Sequence, residues 1–317
     1  MKAIVCRQYG PPEVLQLTEV EKPTPKDNEV LIKVSAASVN PLDRYAMRGA
    51  PLIRLIPGLD KPKDPRLGVD LAGQVVAAGK NVTQFKSGDE VFGAGRGAFA
   101  EYACSPEDKL ALKPAKLSFE EAAAVTVAAI TALQGLRDKG RIARGQQVLI
   151  DGASGGVGTF AVQIAKSFGA EVTAVCSTRN VETARLLGAD QVIDYTREDF
   201  TKSGKRYDLI LGANAHHSIF DYQRALSESG IYVIVGGGLA RIFQGILLAP
   251  FLSRMGSKKI RFFIAHINQK DLVFLKELLE TGKVVPIIDR RYPLSDAAEA
   301  VRYLEEGHAK GKIVITV

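Results

Sequence analysis

The run Val148-Leu149-Ile150-Asp151-Gly152-Ala153-Ser154-Gly155-Gly156-Val157-Gly158 leads into Thr159-Phe160-Ala161-Val162-Gln163-Ile164-Ala165-Lys166. Apolar residues feed a cluster of small ones, and the second segment has the spacing of an amphipathic helix. Strand, glycine turn and helix is the setting in which a glycine fingerprint means a dinucleotide site. Here it reads Ala153-x-Gly155-x-x-Gly158, with alanine in the first glycine's place. Bare glycines let the backbone approach a pyrophosphate, and the helix start offers unpaired N–H groups and a partial positive charge. Ala153, Ser154, Gly155, Gly156, Val157 and Gly158 are therefore candidate cofactor contacts. The competing reading is a tight strand-to-helix turn that binds nothing.

Working outward, candidate strands at 147–150, 171–175, 191–193, 209–211 and 231–235 alternate with helical stretches. Alternation of this kind implies a parallel sheet with helices on both faces. Residues 1–120 read differently. Short strands at 30–34, 73–79, 88–93 and 97–102, punctuated by Gly and Pro, suggest a barrel-like β domain. The change of character comes at Ser118-Phe119-Glu120-Glu121, which has the form of a capping box. Helices are expected at 270–281 and 295–306, and the apolar strand 312–317 is expected to rejoin the first domain.

A ribose contact is expected about twenty residues past the glycines, at the end of the second strand. An NAD site carries a carboxylate there. This chain has Thr173-Ala174-Val175-Cys176-Ser177-Thr178-Arg179, with two hydroxyls and a guanidinium at the strand end and no acid. A 2′-phosphate wants donors and positive charge. Ser177, Thr178 and Arg179 therefore favour NADP(H), the alternative being that Arg179 simply faces solvent.

Composition bounds the rest. The 317 residues are 46% hydrophobic, enough for two domains with sizeable cores. Cys6, Cys104 and Cys176 lie far apart, so neither a disulfide framework nor a metal-ligand spacing is implied, and a reducing, cytoplasmic setting is expected. The N-terminus opens as a strand and lacks signal-peptide character. The longest apolar stretch, 242–252, is interrupted by Gln244, Gly245 and Pro250, so no membrane span is expected. The net charge of +7 comes from scattered Lys and Arg; it reads as a solvated surface, the alternative being attraction of anionic ligands such as a phosphorylated cofactor or, incidentally, nucleic acid. No basic-aromatic motif points to a specific nucleic acid.

Taken together, Asn40-Pro41-Leu42-Asp43-Arg44-Tyr45-Ala46-Met47-Arg48-Gly49, Gly68-Val69-Asp70-Leu71-Ala72-Gly73, Gly97-Ala98-Phe99-Ala100-Glu101-Tyr102, Leu187-Gly188-Ala189-Asp190-Gln191-Val192-Ile193-Asp194-Tyr195 and Gly311-Lys312-Ile313-Val314 extend the glycine fingerprint over the full chain. In these motifs it resembles the medium-chain dehydrogenase/reductase superfamily, in its zinc-free quinone oxidoreductase branch. The resemblance implies an α/β fold: a GroES-like β-barrel domain (1–125 and 266–317) interrupted by a Rossmann doubly wound parallel-sheet domain (126–265). It implies that Asn40 and Thr131 hold the nicotinamide end and that Tyr195 lies near the adenosine phosphate. Gly236, Gly237, Phe263 and Ile264 would line the nicotinamide with backbone groups. A homodimer is expected.

The zinc ligands of metal-dependent relatives would fall, by the same resemblance, at Asn40, Val69 and Val127, none of which is Cys or His. The adjacent His216 and His217 lack a partner acid or thiol in sequence and read as non-metal, though either could border the cofactor. Without a Lewis acid the chemistry expected is hydride transfer to a substrate that already accepts it, a quinone or an α,β-unsaturated carbonyl. Tyr45 is the candidate for binding or protonating the substrate oxygen, with Asn40 beside it; the alternative is a pocket wall with solvent as proton donor. The apolar segments 51–58 and 242–252 could cover a small lipophilic electrophile, pack in a core or between subunits, or touch a membrane surface. Two further readings stay open: a zinc-free acyl-chain enoyl reductase, and a catalytically weak NADPH-binding protein with a structural or RNA-binding role.

Overall fold

The computed structural model describes residues 1–49, 60–238, 248 and 256–317. They fall into two units, one of Met1–Ala128, Ile267–Glu280 and Pro286–Val317, the other of Ala129–His266 and Thr281–Val285. The apolar segments 51–58 and 242–252 lie outside the described residues, apart from Leu248, which packs on the core of the second unit.

The first unit opens with β1 (Lys2–Cys6) and β2 (Leu15–Glu19), an antiparallel pair. Then come β3 (Glu29–Val39), α1 (Pro41–Arg48), β4 (Asp70–Ala78), β5 (Glu90–Ala94), β6 (Tyr102–Pro106) and β7 (Leu110–Leu112). α2 (Phe119–Ala123) and α3 (Thr126–Gln134) follow. The capping box is present: Glu121 N–H donates to Ser118 Oγ (3.1 Å), and Ser118 N–H donates to the Glu121 carboxylate (2.8 Å).

The second unit holds β8 (Gln147–Asp151), α4 (Gly156–Ser167), β9 (Glu171–Cys176), α5 (Val181–Leu186), β10 (Gln191–Asp194), β11 (Tyr207–Gly212), α6 (Ile219–Ala225), β12 (Leu226–Ile234) and β13 (Lys259–Phe262). The chain then supplies α7 (Gln269–Glu280), β14 (Ile288–Pro293), α8 (Ala297–Glu305) and β15 (Lys312–Thr316) to the first.

The strands of the second unit run in the order β10-β9-β8-β11-β12-β13, all parallel. Counted from β8, this is the doubly wound 3-2-1-4-5-6 order, whose direction reverses beside β8. Val148, Leu149 and Ile150 are fully buried. A strand covered on both faces reads as a continuous apolar run rather than an alternating one, which is why this strand was so visible.

The first unit's sheet runs β14-β15-β3-β4-β5-β7, with β6 also paired to β3, antiparallel except at β14–β15. The C-terminal strand does rejoin it: Ile313 lies opposite Val39, and Ile313, Val314 and Ile315 are buried. At roughly 1.5–3 kcal/mol for each fully buried aliphatic side chain, that closing strand contributes substantially to the core around Ile32, Met47, Leu71 and Phe99.

Candidate active site

The candidate nucleotide cradle sits where β8 ends. Gly152 has φ +82°, so the tight turn is made one residue ahead of the position that carries Ala153. Ala153 and Gly158 are buried, whereas Ser154, Gly155, Gly156 and Val157 are partly exposed. A Cβ added at Gly158 would sit 2.1 Å from Gly152 O and 2.7 Å from Ala153 Cα, so this glycine serves close helix–strand packing. At Gly155 the nearest atom would be Gly152 O at 3.6 Å, leaving open space over the backbone. Gly155 caps α4 with no side-chain hydrogen bond, so the first-turn N–H groups face that space without an intrahelical acceptor. This arrangement fits a pyrophosphate.

Beneath the turn is a feature the sequence did not signal. Asp151 is buried and its carboxylate accepts from the Tyr222 hydroxyl. Tyr222 stacks on Tyr232 (centroids 4.2 Å apart). Burial pushes the Asp151 carboxyl up to about 7, against the lowering effect of the Tyr222 hydrogen bond. His217 packs edge-on against Phe200 and Tyr222, and His216 N–H donates to Tyr222 Oη (3.2 Å). The His217 ring thus belongs to this aromatic cluster, whereas exposed His216 meets it only through its backbone N–H.

At the ribose end the neighbouring strand adds an acid. Thr178 Oγ1 donates to Asp194 Oδ2 at 2.5 Å, so its proton is not available to a phosphate. The acid comes from β10, whose Asp194 lies in register with Cys176 of β9; a neighbouring strand brings it level with a strand end that carries no acid of its own. Thr178 and Thr196 hydrogen bonds hold the Asp194 carboxyl below its ordinary range. Ser177 Oγ accepts from Asn180 Nδ2 (3.1 Å). Arg179 is exposed with no ion pair among the described residues, and Tyr195 is 57% exposed. These two remain available to a phosphorylated ribose.

The other expected contacts of the second unit lie at the same carboxyl ends of the strands. Gly236 and Gly237 follow β12, with Gly236 N–H bonded to Gly212 O (3.1 Å). Phe263 and Ile264 follow β13, and Ile264 is 85% exposed. Gln134, at the end of α3, grips this segment at both polar atoms of one residue, donating to His266 O (2.7 Å) and accepting from His266 N–H (3.0 Å). Thr131 is half-buried on the same helix.

In the first unit Asn40 begins α1. It is nearly fully buried, and its amide is committed inside the protein. Nδ2 donates to Asp70 Oδ2 (2.9 Å) and Ser38 O (3.3 Å), and Oδ1 accepts from the Lys312 ammonium (2.6 Å). With both amide protons used, Asn40 has no donor left for a cofactor; its expected direct contact narrows to the remaining Oδ1 lone pair. Ser38 Oγ also donates to Asp70 (2.8 Å), and Val127 N–H donates to Asp70 Oδ1 (3.1 Å). Asp43, buried on the first turn of α1, accepts from Asn40 N–H (2.8 Å), and burial pushes its carboxyl up to about 7. Tyr45, on the same helix, is half-buried, and its hydroxyl has no hydrogen-bond partner among the described residues; Leu42 beside it is 51% exposed. Asp70 and Lys312 stand in the sequence only within longer motifs, and nothing local to either marks this role.

These residues do not fit a zinc ion. The positions at issue offer an amide oxygen already held by an ammonium and two valines. Nowhere among the described residues do three His, Cys, Asp or Glu side chains gather as a metal-binding group.

Residues 26–115 match the alcohol dehydrogenase GroES-like domain family, and residues 187–315 match the zinc-binding dehydrogenase family. The chloroplast envelope quinone oxidoreductase homolog of Arabidopsis thaliana is 34% identical, over 99% of this chain and 98% of that protein. The chloroplastic NADPH-dependent alkenal/one oxidoreductase of the same plant is 34% identical, over 99% of this chain and 79% of its own length. The solved quinone oxidoreductase from Coxiella burnetii superposes with a TM-score of 0.87 at 33% identity, covering 100% of this chain and 99% of that one.

Proposed function

The chain belongs to the quinone oxidoreductase branch of the medium-chain dehydrogenase/reductase superfamily, and on that premise we propose that it is an NADPH-dependent reductase of quinones or α,β-unsaturated carbonyls that works without a metal. The observation that carries this reading is the donor set beside Asn40, where the protein's own Lys312 ammonium takes the amide oxygen. A site of this kind cannot polarise a simple alcohol as a Lewis acid would, but an enone or quinone accepts hydride without that help.

The bound nicotinamide supplies the hydride. Gly156 and Val157 offer the pyrophosphate first-turn N–H groups, Gly155 leaves the helix start open to it, and Arg179 and Tyr195 face the phosphorylated ribose. The Tyr45 hydroxyl, free of protein partners among the described residues, binds the acceptor oxygen and holds the proton that completes the reduction. Leu42 supports a lipophilic electrophile as substrate.

A homodimer is the assembly this reading favours, because β13 ends the sheet with only β12 paired to it among the described residues. The three free thiols accord with a reducing, cytoplasmic setting. No helix among the described residues is long and apolar enough to cross a membrane.

The test is oxidation of NADPH by the purified protein in the presence of 1,4-benzoquinone, 2-alkenals and acyl thioesters, with NADH as control. Turnover on quinones or alkenals with a preference for NADPH is expected. Turnover on acyl thioesters alone would move the assignment to an enoyl reductase, and tight NADPH binding without turnover would leave a binding protein.

A further inference from the structure

A buried charge pair in the first unit touches neither cofactor nor substrate in the reduction just described. Lys312 on β15 has a side chain 4% exposed, and Asp70 at the start of β4 is fully buried. The ammonium has three oxygen neighbours, Asn40 Oδ1 (2.6 Å), Val39 O (3.3 Å) and Asp70 Oδ2 (3.4 Å). The Asp70 carboxylate is met by the Ser38 hydroxyl, the Asn40 amide, the Val127 N–H and Lys312. One carboxylate thereby ties together β3, the residue that begins α1, the first turn of α3 and the C-terminal strand.

Packing does not require these charges, because a buried ion pair is commonly no more stabilising than an apolar pair of similar volume. Their consequence is directional. With an ammonium on one side and a carboxylate on the other, the Asn40 amide has one permitted orientation. Flipped, its NH2 would face the ammonium and its oxygen the carboxylate. Asn40 is also where α1 starts: its carbonyl accepts from Asp43 N–H (3.0 Å), and its own N–H is held by the Asp43 carboxylate.

We propose that Lys312 is a positioning residue for the hydride transfer: together with Asp70 it locks the Asn40 amide and the first turn of α1, the helix that carries Tyr45. This rests on the functional reading above. Lys312 touches neither cofactor nor substrate in this account and acts through Asn40.

The test compares Lys312→Met with the double variant Lys312→Met/Asp70→Asn. The single variant leaves the Asp70 carboxylate without its cation, so its Tm falls. The double variant removes both charges and regains most of that Tm, yet the two opposed charges that fix the amide's orientation are gone, and only the long bond from Nδ2 to Ser38 O and a carboxamide that can itself flip remain. Its kcat for enone reduction is expected to remain about ten- to a hundredfold below wild type, with NADPH affinity near that of wild type. Amide hydrogen exchange across residues 41–48 is expected to rise even where Tm has recovered. A double variant with wild-type kcat and wild-type protection of α1 overturns the proposal, since a merely structural pair would restore both with the Tm. If the double variant does not fold, Lys312→Met alone, which removes the donor to Asn40 Oδ1, is assayed well below its Tm, and a kcat within about twofold of wild type there overturns it equally. If the wild-type protein reduces neither enones nor quinones, the functional reading has failed, and the exchange measurement on the cofactor-free protein still decides whether Lys312 anchors α1.

Discussion

Gly155 and Gly158 stand three positions apart in one fingerprint, but the structure gives alanine at each a different consequence. At Gly158 an added Cβ falls 2.1 Å from Gly152 O, whereas ordinary contact begins near 3.4 Å, a shortfall of about 1.3 Å. The obstructing atom is backbone and cannot rotate aside, so α4 must shift from the turn. Overpacking of this kind costs roughly 1–3 kcal/mol, and at about 2–4 °C per kcal/mol for a domain of this size the Tm should fall by about 2–12 °C. At Gly155 the backbone has φ −81° and ψ 175°, open to any residue, and the nearest atom to the new Cβ is 3.6 Å away. Gly155→Ala should therefore leave Tm unchanged or raise it slightly, because it narrows the unfolded ensemble by about 0.4–1 kcal/mol. Its methyl group would nonetheless stand where a pyrophosphate meets the helix start, and losing about 1.4 kcal/mol there weakens NADPH binding about tenfold. Thermal unfolding without ligand and nicotinamide fluorescence titration separate the two effects. A Gly155→Ala protein that binds NADPH as wild type does would refute the cradle, and a Gly158→Ala protein with unchanged Tm would refute the packing argument.

Three other outcomes follow from the site. Arg179→Glu should weaken NADPH at least about tenfold while leaving NADH nearly unaffected, a contrast that shrinks in high salt; equal losses for both cofactors would remove Arg179 from the 2′-phosphate. Tyr45→Phe should lower enone kcat by about a hundredfold if the hydroxyl is the acid, and normal turnover assigns the proton to solvent. For pH, Asp43 and Asp151 both have folded values near 7 against 3.8 when unfolded. The folded state then binds more protons than the unfolded one between those values. Their contribution is present at low pH and is lost as pH rises toward 7, by on the order of 1 kcal/mol per unit for each group. Tm should accordingly be higher at pH 5.5 than at pH 8, with a shallower slope in Asp151→Asn; a Tm that climbs over that interval contradicts the burial argument.

Much of the second unit was legible because its signals are local. A strand covered on both faces announces itself as an apolar run, and the helix after it repeats its apolar positions within a few turns. The glycine spacing points to a cradle at the end of β8; Gly152 lies outside the fingerprint as written, and only its positive φ shows that it makes the turn. The Thr178 hydrogen bond is out of reach of local reading for a related reason: the carboxylate that takes its proton stands on the next strand, sixteen residues away.

The sequence by itself determined the layout of strands and helices, the glycine turn proposed as a cradle and the lack of zinc-type ligands at the expected positions. Those depend on residue identity and on periodicities that persist over a dozen residues. Tertiary structure alone decided what surrounds Asn40. Lys312 is 272 residues from Asn40 and 242 from Asp70, and the three meet because β15 lies beside β3 and β3 beside β4. No local pattern encodes that register. It follows from burying Ile313 and Ile315 in the core with Ile32 and Leu71, which draws Lys312 inside, where the Asp70 carboxylate and the Asn40 amide meet its charge.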